Sequence, residues 1–190
     1  MPISLVNSTE KPLIEIRPIQ LHQVEDVKRL IFSVCQEIWQ VSEDELGRYD
    51  AMSDIDDVRS HYFDNKGTFL VLTDDDRIVG SGAIRRLNDD ICELKRMWFL
   101  KEYRGRGLGI DMTRTLLEFA RKTGYKLVRL DTVDAQKQAR ALKLYQRLGF
   151  YFIERYNNGP ATAFMEKRLS MEITDGLISA CPTGAGASAE

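Results

Sequence analysis

The chain has 190 residues, 43% of them hydrophobic, enough for one ordinary domain with a sizeable core. A formal net charge of -2 and a pI near 5.8 leave no overall basic field, so composition gives no support to binding of nucleic acid or an anionic membrane. Three cysteines, Cys35, Cys92 and Cys181, lie far apart without CxxC or Cys/His spacing, which argues against a disulfide framework and a zinc site and for a reducing, cytoplasmic setting. Met1 to Ser4 carry no basic segment ahead of an apolar run, and no stretch reaches 18 consecutive apolar residues, so no export signal and no membrane span are expected.

Residues 1–12 read as an N-terminal extension to a single domain over 13–170. Ile14-Glu15-Ile16-Arg17 alternates apolar and polar and runs into Pro18, the pattern of a first strand near a sheet edge. From Gln23 the period changes: Val24, Val27, Leu30, Ile31, Val34, Cys35 and Ile38 fall on one face of an amphipathic helix of about four turns. Cys35 lies on that apolar stripe and reads as core; His22 and His61 have no partner signal. Residues 41–57 are irregular and acidic, with Glu43, Asp44, Glu45, Asp50, Asp54, Asp56 and Asp57 facing only Arg48. Two readings apply: an electrostatic lure for a cationic substrate, or Ser53 capping a short helix with Asp54 and Asp56 in its first turn and Ile55, Val58 and Tyr62 turned inward.

Three β-rich runs follow, Thr68–Thr73, Ile78–Leu87 and Ile91–Leu100, joined by the polar turns Asp74-Asp75-Asp76-Arg77 and Asn88-Asp89-Asp90, as consecutive antiparallel strands would be. Gly80 and Gly82 inside the second run indicate a bulge or a close backbone approach. Arg104-Gly105-Arg106-Gly107-Leu108-Gly109 then leads into a helix with Leu108, Met112, Leu116 and Ala120 on one face and Gly124 as its stop. Strand, glycine loop and helix together make an anion cradle, because the first helical N–H groups have no backbone partners and the helix dipole is positive there. Leu127–Thr132 reads as a strand parallel to its predecessor. A helix from about Gln136 carries Ala141, Leu142, Tyr145 and Leu148 and is closed by Gly149. Phe150–Ile153 and Thr162–Leu169 are the last two strands, separated by the turn Asn157-Asn158-Gly159-Pro160. Residues 171–190 are small and polar and read as a flexible tail. The fold class is thus α/β (α+β): a mixed, mostly antiparallel central sheet of about seven strands flanked by about four helices.

The spacing discriminates among cradles. No Gly-Lys-Ser/Thr follows, so a P-loop fails; a dinucleotide fingerprint started at Gly105 puts Ile110 where its third glycine belongs, and three antiparallel strands precede it. Arg104-X-X-Gly107-X-Gly109 does fit, and here the chain resembles the GNAT acyltransferase superfamily, whose hallmark is Arg/Gln-X-X-Gly-X-Gly/Ala. Glu93-Leu94-Lys95-Arg96-Met97-Trp98-Phe99 is similar to that family's fourth strand, and Ala141 to Phe150 to its second signature, a helix bearing a tyrosine and ending in Gly-Phe.

The resemblance implies an acetyl-CoA-dependent N-acetyltransferase, with acetyl-CoA as co-substrate and no metal, working by direct attack in a ternary complex. It assigns the coenzyme pyrophosphate to the backbone of Arg104, Gly105, Arg106, Gly107, Leu108, Gly109 and Ile110, and the pantetheine arm to main-chain groups of Met97, Trp98 and Phe99. Tyr145 matches the tyrosine that protonates the departing thiolate. Glu93 stands eleven residues before Arg104, where the histone-acetylating branch places its general base; read structurally, it pairs with Lys95 or Arg96. Many members carry an asparagine after the fifth strand, absent here, where Gln138 or Thr132 is the candidate substitute. The expected acceptor is a primary amine, a small cationic one favoured by the acidic stretch over a protein lysine or N-terminus. Nothing in the sequence decides for or against the homodimers common in the family. The rival expectation is a non-catalytic acyl-CoA-binding or regulatory module.

Overall fold

The computed structural model describes residues 14–170. A seven-stranded sheet in the order β1-β2-β3-β4-β5-β7-β6 runs through the domain. Its strands are β1 (Ile14–Pro18), β2 (Thr68–Asp74), β3 (Arg77–Arg86), β4 (Ile91–Phe99), β5 (Leu127–Thr132), β6 (Tyr151–Phe152) and β7 (Ala163–Arg168), with β4 and β5 parallel and the other neighbours antiparallel. The proline-stopped β1 takes one edge of the sheet, as its sequence predicts. The N-terminal extension expected over residues 1–12 and the tail expected over 171–190, with Cys181, lie outside the described residues.

Alternation along the strands sends side chains to two separate cores. On one face Leu70, Leu72, Ile84, Leu94, Val128 and Leu130 meet helix α5 (Leu108–Thr123) through Met112, Leu116 and Ala120, and helix α6 (Ala139–Arg147) through Leu142 and Tyr145. On the other, Phe69, Val71 and Ala83 meet helix α1 (Val24–Trp39) and the short helices α3 (Ser53–Asp56) and α4 (Val58–His61) through Val27, Ile31, Ile55 and Tyr62. Cys35 is 3% exposed on the α1 stripe, and burial pushes its thiol up to about 11, which makes it an inert core residue.

The acidic stretch is more regular than its composition predicts. It contains helix α2 (Glu43–Tyr49), capped by a reciprocal box in which Ser42 and Glu45 bond each other's backbone N–H. Ser53 is not the cap expected of it: Met52, in the left-handed region at φ 54°, precedes α3, and Asp57 caps α4 by accepting from the Ser60 N–H at 3.1 Å. With these segments the domain has six α-helices among the described residues, where about four were expected. Ile55, Val58 and Tyr62 are all buried, as predicted.

The feature that positions the site is a fork between β4 and β5. Ser81 pairs with Trp98 and Ala83 with Lys95, so Arg96 and Met97 together oppose Gly82: a bulge of one residue in β4. Gly82 permits it, since a Cβ there would lie 2.7 Å from the Met97 sulfur and 2.8 Å from Leu116. Arg96 takes the left-handed conformation at φ 56°, costly by roughly 1–3 kcal/mol for a residue with a Cβ. Opposing that cost, Ser81 Oγ donates to its carbonyl at 2.7 Å and its guanidinium pairs with Asp50 and Asp54. Bent at the bulge, β4 pairs with β5 only from Ile91 to Glu93; beyond that point the two parallel strands diverge.

Candidate functional site

The diverging strands open a cleft of about 660 Å³, walled by β4 from Glu93 to Trp98, by β5 from Leu130 to Thr132, by α6 and by residues 157 and 159–161. Along this gap the β5-facing edge of β4 has no strand partner from Leu94 to Phe99. Its main chain is open to an extended ligand that would pair like an added strand. At one end lies the glycine loop. Gly105 and Gly107 have φ of 76° and 87°, and Gly107 is the left-handed residue that starts α5. Among the described residues the N–H groups of Gly105, Arg106 and Gly107 donate to no backbone carbonyl, so they and the first N–H groups of α5 form a cluster of free donors.

The charge at that cluster is arranged differently from what the motif leads one to expect. Arg104 points away from the loop: Nε donates to the Phe99 carbonyl at 2.7 Å, and its two terminal nitrogens grip both oxygens of Glu37 on α1 at 3.0 and 2.7 Å. It fastens the loop to the opposite face of the sheet. Arg106 lies over the Tyr103 ring at 5.3 Å. The third cation is Arg140 on α6, whose Nη2 sits 3.8 Å from where a Gly105 Cβ would stand. No motif pointed to Arg140; only the packing of α6 against the loop places it there.

Tyr145 faces the cleft from α6, 6% exposed, edge-on to Phe150 at a centroid distance of 5.7 Å. Burial raises its phenol pKa, and its hydroxyl has no hydrogen-bond partner among the described residues. Gln138 also lines the cleft, with its carbonyl oxygen accepting from the Asp134 N–H at 3.1 Å. Two further lining residues present buried polar atoms without partners: the Thr132 hydroxyl and the Trp98 indole N–H.

Glu93 sits where the strands part, 2% exposed. Arg85 donates to one of its oxygens at 2.7 Å, Tyr156 donates to the other at 2.8 Å, and Lys95 stands 3.6 Å away. Register explains the neighbourhood: Arg85, Glu93, Arg129 and Glu166 are successive partners across β3, β4, β5 and β7, a row of alternating charge on one face of the sheet. The row is roofed by the β6–β7 connection. Tyr156 packs edge-on to Phe164 at 5.5 Å and under the Arg129 guanidinium at 5.3 Å, while Arg155 donates to the carbonyls of Gly159 and Ala161 at 2.7 and 2.8 Å and holds the turn in shape. Asn157 donates to Asp131 at 2.6 Å.

Five of the carboxylates in the acidic stretch are already engaged within the protein. Arg96 binds Asp50 and Asp54, Tyr62 donates to Asp54, Asp56 pairs with Lys28, and Glu45 and Asp57 serve as helix caps. Burial pushes the Asp54 carboxyl up, but the hydrogen bonds and charge of Arg96 outweigh it and bring it down to about 2. What α1 and α2 offer the cleft is apolar: Leu46, Tyr49 and Trp39, the last edge-on to Trp98 at 6.0 Å.

A sequence model of the acetyltransferase (GNAT) family matches residues 25–150. The uncharacterised N-acetyltransferase YjgM of Escherichia coli is 34% identical over 103 residues, 53% of this chain and 60% of that protein. Human N-acetyltransferase 8B is 34% identical over 104 residues, 52% of this chain and 45% of its own length. The chain therefore spans about half the length of the curated relatives it matches. Among solved structures, the PaiA N-acetyltransferase of Thermoplasma acidophilum, in complex with coenzyme A, superposes with a TM-score of 0.67 over 83% of this chain and 99% of that one, at 18% identity. The glycine loop, the bulged strand, the fork and the tyrosine helix are the parts of one fold, and with a family match covering residues 25–150 the chain belongs to the GNAT acetyltransferase family.

Proposed function

We propose that residues 13–170 form an acetyl-CoA-dependent N-acetyltransferase that passes the acetyl group to the primary amine of a small molecule by direct attack in a ternary complex. The observation that carries this is the fork, a cleft along the unpartnered edge of β4 that reaches the unpartnered Tyr145 hydroxyl, with the free N–H groups of Gly105–Gly107 following β4 in the chain. Coenzyme A fits the slot in order. Its pyrophosphate meets the free N–H donors from Gly105 to Gly109, the Arg104 and Ile110 N–H groups expected to join them being bonded to the Lys101 and Gly107 carbonyls, with Arg106 and Arg140 supplying charge. Its pantetheine amides pair with the main chain of Met97, Trp98 and Phe99. The free Thr132 hydroxyl, with the amide of Gln138, takes the contact the family's missing asparagine would make. Coenzyme A in the similar PaiA structure supports the same donor.

In the reaction the amine nitrogen attacks the thioester carbonyl carbon, a C–N bond forms, and the C–S bond breaks. The sulfur leaves as a thiolate and takes a proton from Tyr145, whose burial keeps the phenol protonated at neutral pH. The proton shed by the amine is assigned to Glu93, which stands at the crotch of the fork. α2 and the β6–β7 connection flank the acceptor side, which favours a small molecule over a protein chain. Following thiol release from acetyl-CoA across a panel of amines tests the reading. Turnover supports it; tight coenzyme binding with no turnover on any acceptor would instead make the domain a binding module.

A further inference from the structure

The acceptor half of the cleft carries two charged groups that no opposite charge on the protein meets at hydrogen-bond distance, and they stand on opposite sides of the fork. Glu93 and Arg129 are the last paired residues of β4 and β5, so two residues further along, on the same face of the sheet, Lys95 and Asp131 flank the gap. Both line the cleft, and no ion pair joins them. Lys95 stands 3.6 Å from Glu93, whose closer cation is Arg85 at 2.7 Å, and it also faces Asp54, so its ammonium has no carboxylate at hydrogen-bond distance. Asp131 has only the neutral amide of Asn157 as a partner among the described residues, so it keeps one negative charge. The cations are reachable, with the Arg85 and Lys95 side chains 34% and 26% exposed. On the helical side Asp50 and Asp54 both bind the single cation Arg96, so their oxygens are occupied although that trio keeps one negative charge.

A ligand that satisfies both sides of the fork carries a carboxylate and an amine a short distance apart, with an apolar group to lie against Trp39, Trp98 and Leu46. We propose that the acceptor is a free α-amino acid with an apolar side chain, its carboxylate held by Lys95 and Arg85 and its amino group presented beside Asp131. The inference rests on the acetyltransferase reading and narrows it. An amine lacking the carboxylate forgoes the charge-assisted hydrogen bonds to Lys95 and Arg85, which lowers transition-state binding.

The test is thiol release from acetyl-CoA with L-phenylalanine and with phenethylamine, which differ only in the carboxylate, together with calorimetric binding of coenzyme A. Phenylalanine is expected to have a kcat/KM higher by about tenfold or more, the discrimination one well-placed ionic contact supplies. Lys95→Met should raise KM for phenylalanine about tenfold and shrink that preference, and Lys95→Arg, which keeps the charge, should retain it. Equal or better turnover of phenethylamine overturns the inference and leaves the acetyltransferase reading standing, as does a preference that Lys95→Met does not reduce. Coenzyme binding without turnover on either acceptor overturns the inference, and only the same result across the whole amine panel overturns the acetyltransferase reading as well.

Discussion

Tyr145 and Glu93 differ most in how their oxygens are occupied. The Tyr145 hydroxyl has no hydrogen-bond partner among the described residues and lines the cleft, available to a sulfur there, whereas both Glu93 oxygens already accept, from Arg85 and Tyr156. Tyr145→Phe, which removes one oxygen and no packing, is expected to lower kcat about a hundredfold with KM for acetyl-CoA unchanged. Steady-state kinetics with wild-type kcat would remove Tyr145 as the acid. Glu93→Gln separates base from ion pair in the same assay: a base loses kcat on that scale, while a structural carboxylate shows a lower melting temperature with kcat retained. The two arginines at the loop divide likewise. Arg140→Ala should raise KM for acetyl-CoA about tenfold, the scale of one charged hydrogen bond to phosphate, and leave kcat in place. Arg104→Ala removes the clamp on Glu37 and should instead lower the melting temperature by about 2–4 °C, the equivalent of about 1 kcal/mol in a domain of this size.

At the scale of elements, the bulge in β4 and the helices α2 and α3 stabilise one another. Arg96 holds a backbone conformation that bends β4 away from β5, and its side chain is neutralised by Asp50, just after α2, and Asp54 in α3. The helices thereby keep the fork open, and the fork supplies their counter-charge. The Asp54 carboxyl is lowered in the folded state from an ordinary 3.8 to about 2, so the stability it contributes is present above pH 4 and lost as the pH falls through about 2. By linkage this amounts to about 2 kcal/mol. Asp54→Asn should therefore unfold more easily in denaturant at pH 7 by about that amount, and the two curves should converge as acid protonates the wild type. A constant gap down to pH 2 would mean the Arg96 pairing does not control the stability of this segment.

Across the whole molecule, the two cores lie on opposite faces of one sheet and the cleft follows the seam where that sheet splits. A coenzyme in the slot would touch β4, the start of α5 and the inner face of α6, so binding replaces sheet contacts that the fork interrupts. Saturation at about 100 times Kd is worth about 2.7 kcal/mol, and acetyl-CoA at that level should raise the melting temperature by about 5–10 °C. A flat melting curve across that range of coenzyme would contradict placement of the ligand in the fork.

Features carried by neighbours along the chain were legible beforehand. The Arg104-X-X-Gly107-X-Gly109 spacing, the tyrosine helix ending at Gly149, the period change at Gln23 and the paired glycines of β3 are local patterns, and local patterns specify strands, helices and tight turns. α2 escaped although its Ser42/Glu45 box is a local signal, because a single helix of seven residues surrounded by acids shows too few turns to declare a period. The partners of the charged residues were not legible at all. Arg104 finds Glu37 across 67 positions, Arg96 finds Asp50 across 46, and Tyr156 reaches Glu93 across 63. Ion pairs of that separation leave no periodicity, so the sequence by itself determined the family, the glycine loop and the place of Tyr145 on its helix. Only the tertiary structure decided that the acidic stretch neutralises Arg96, that Arg104 is a clamp, and that Lys95 and Asp131 face each other across the fork, because those facts depend on which strands are neighbours and where they part.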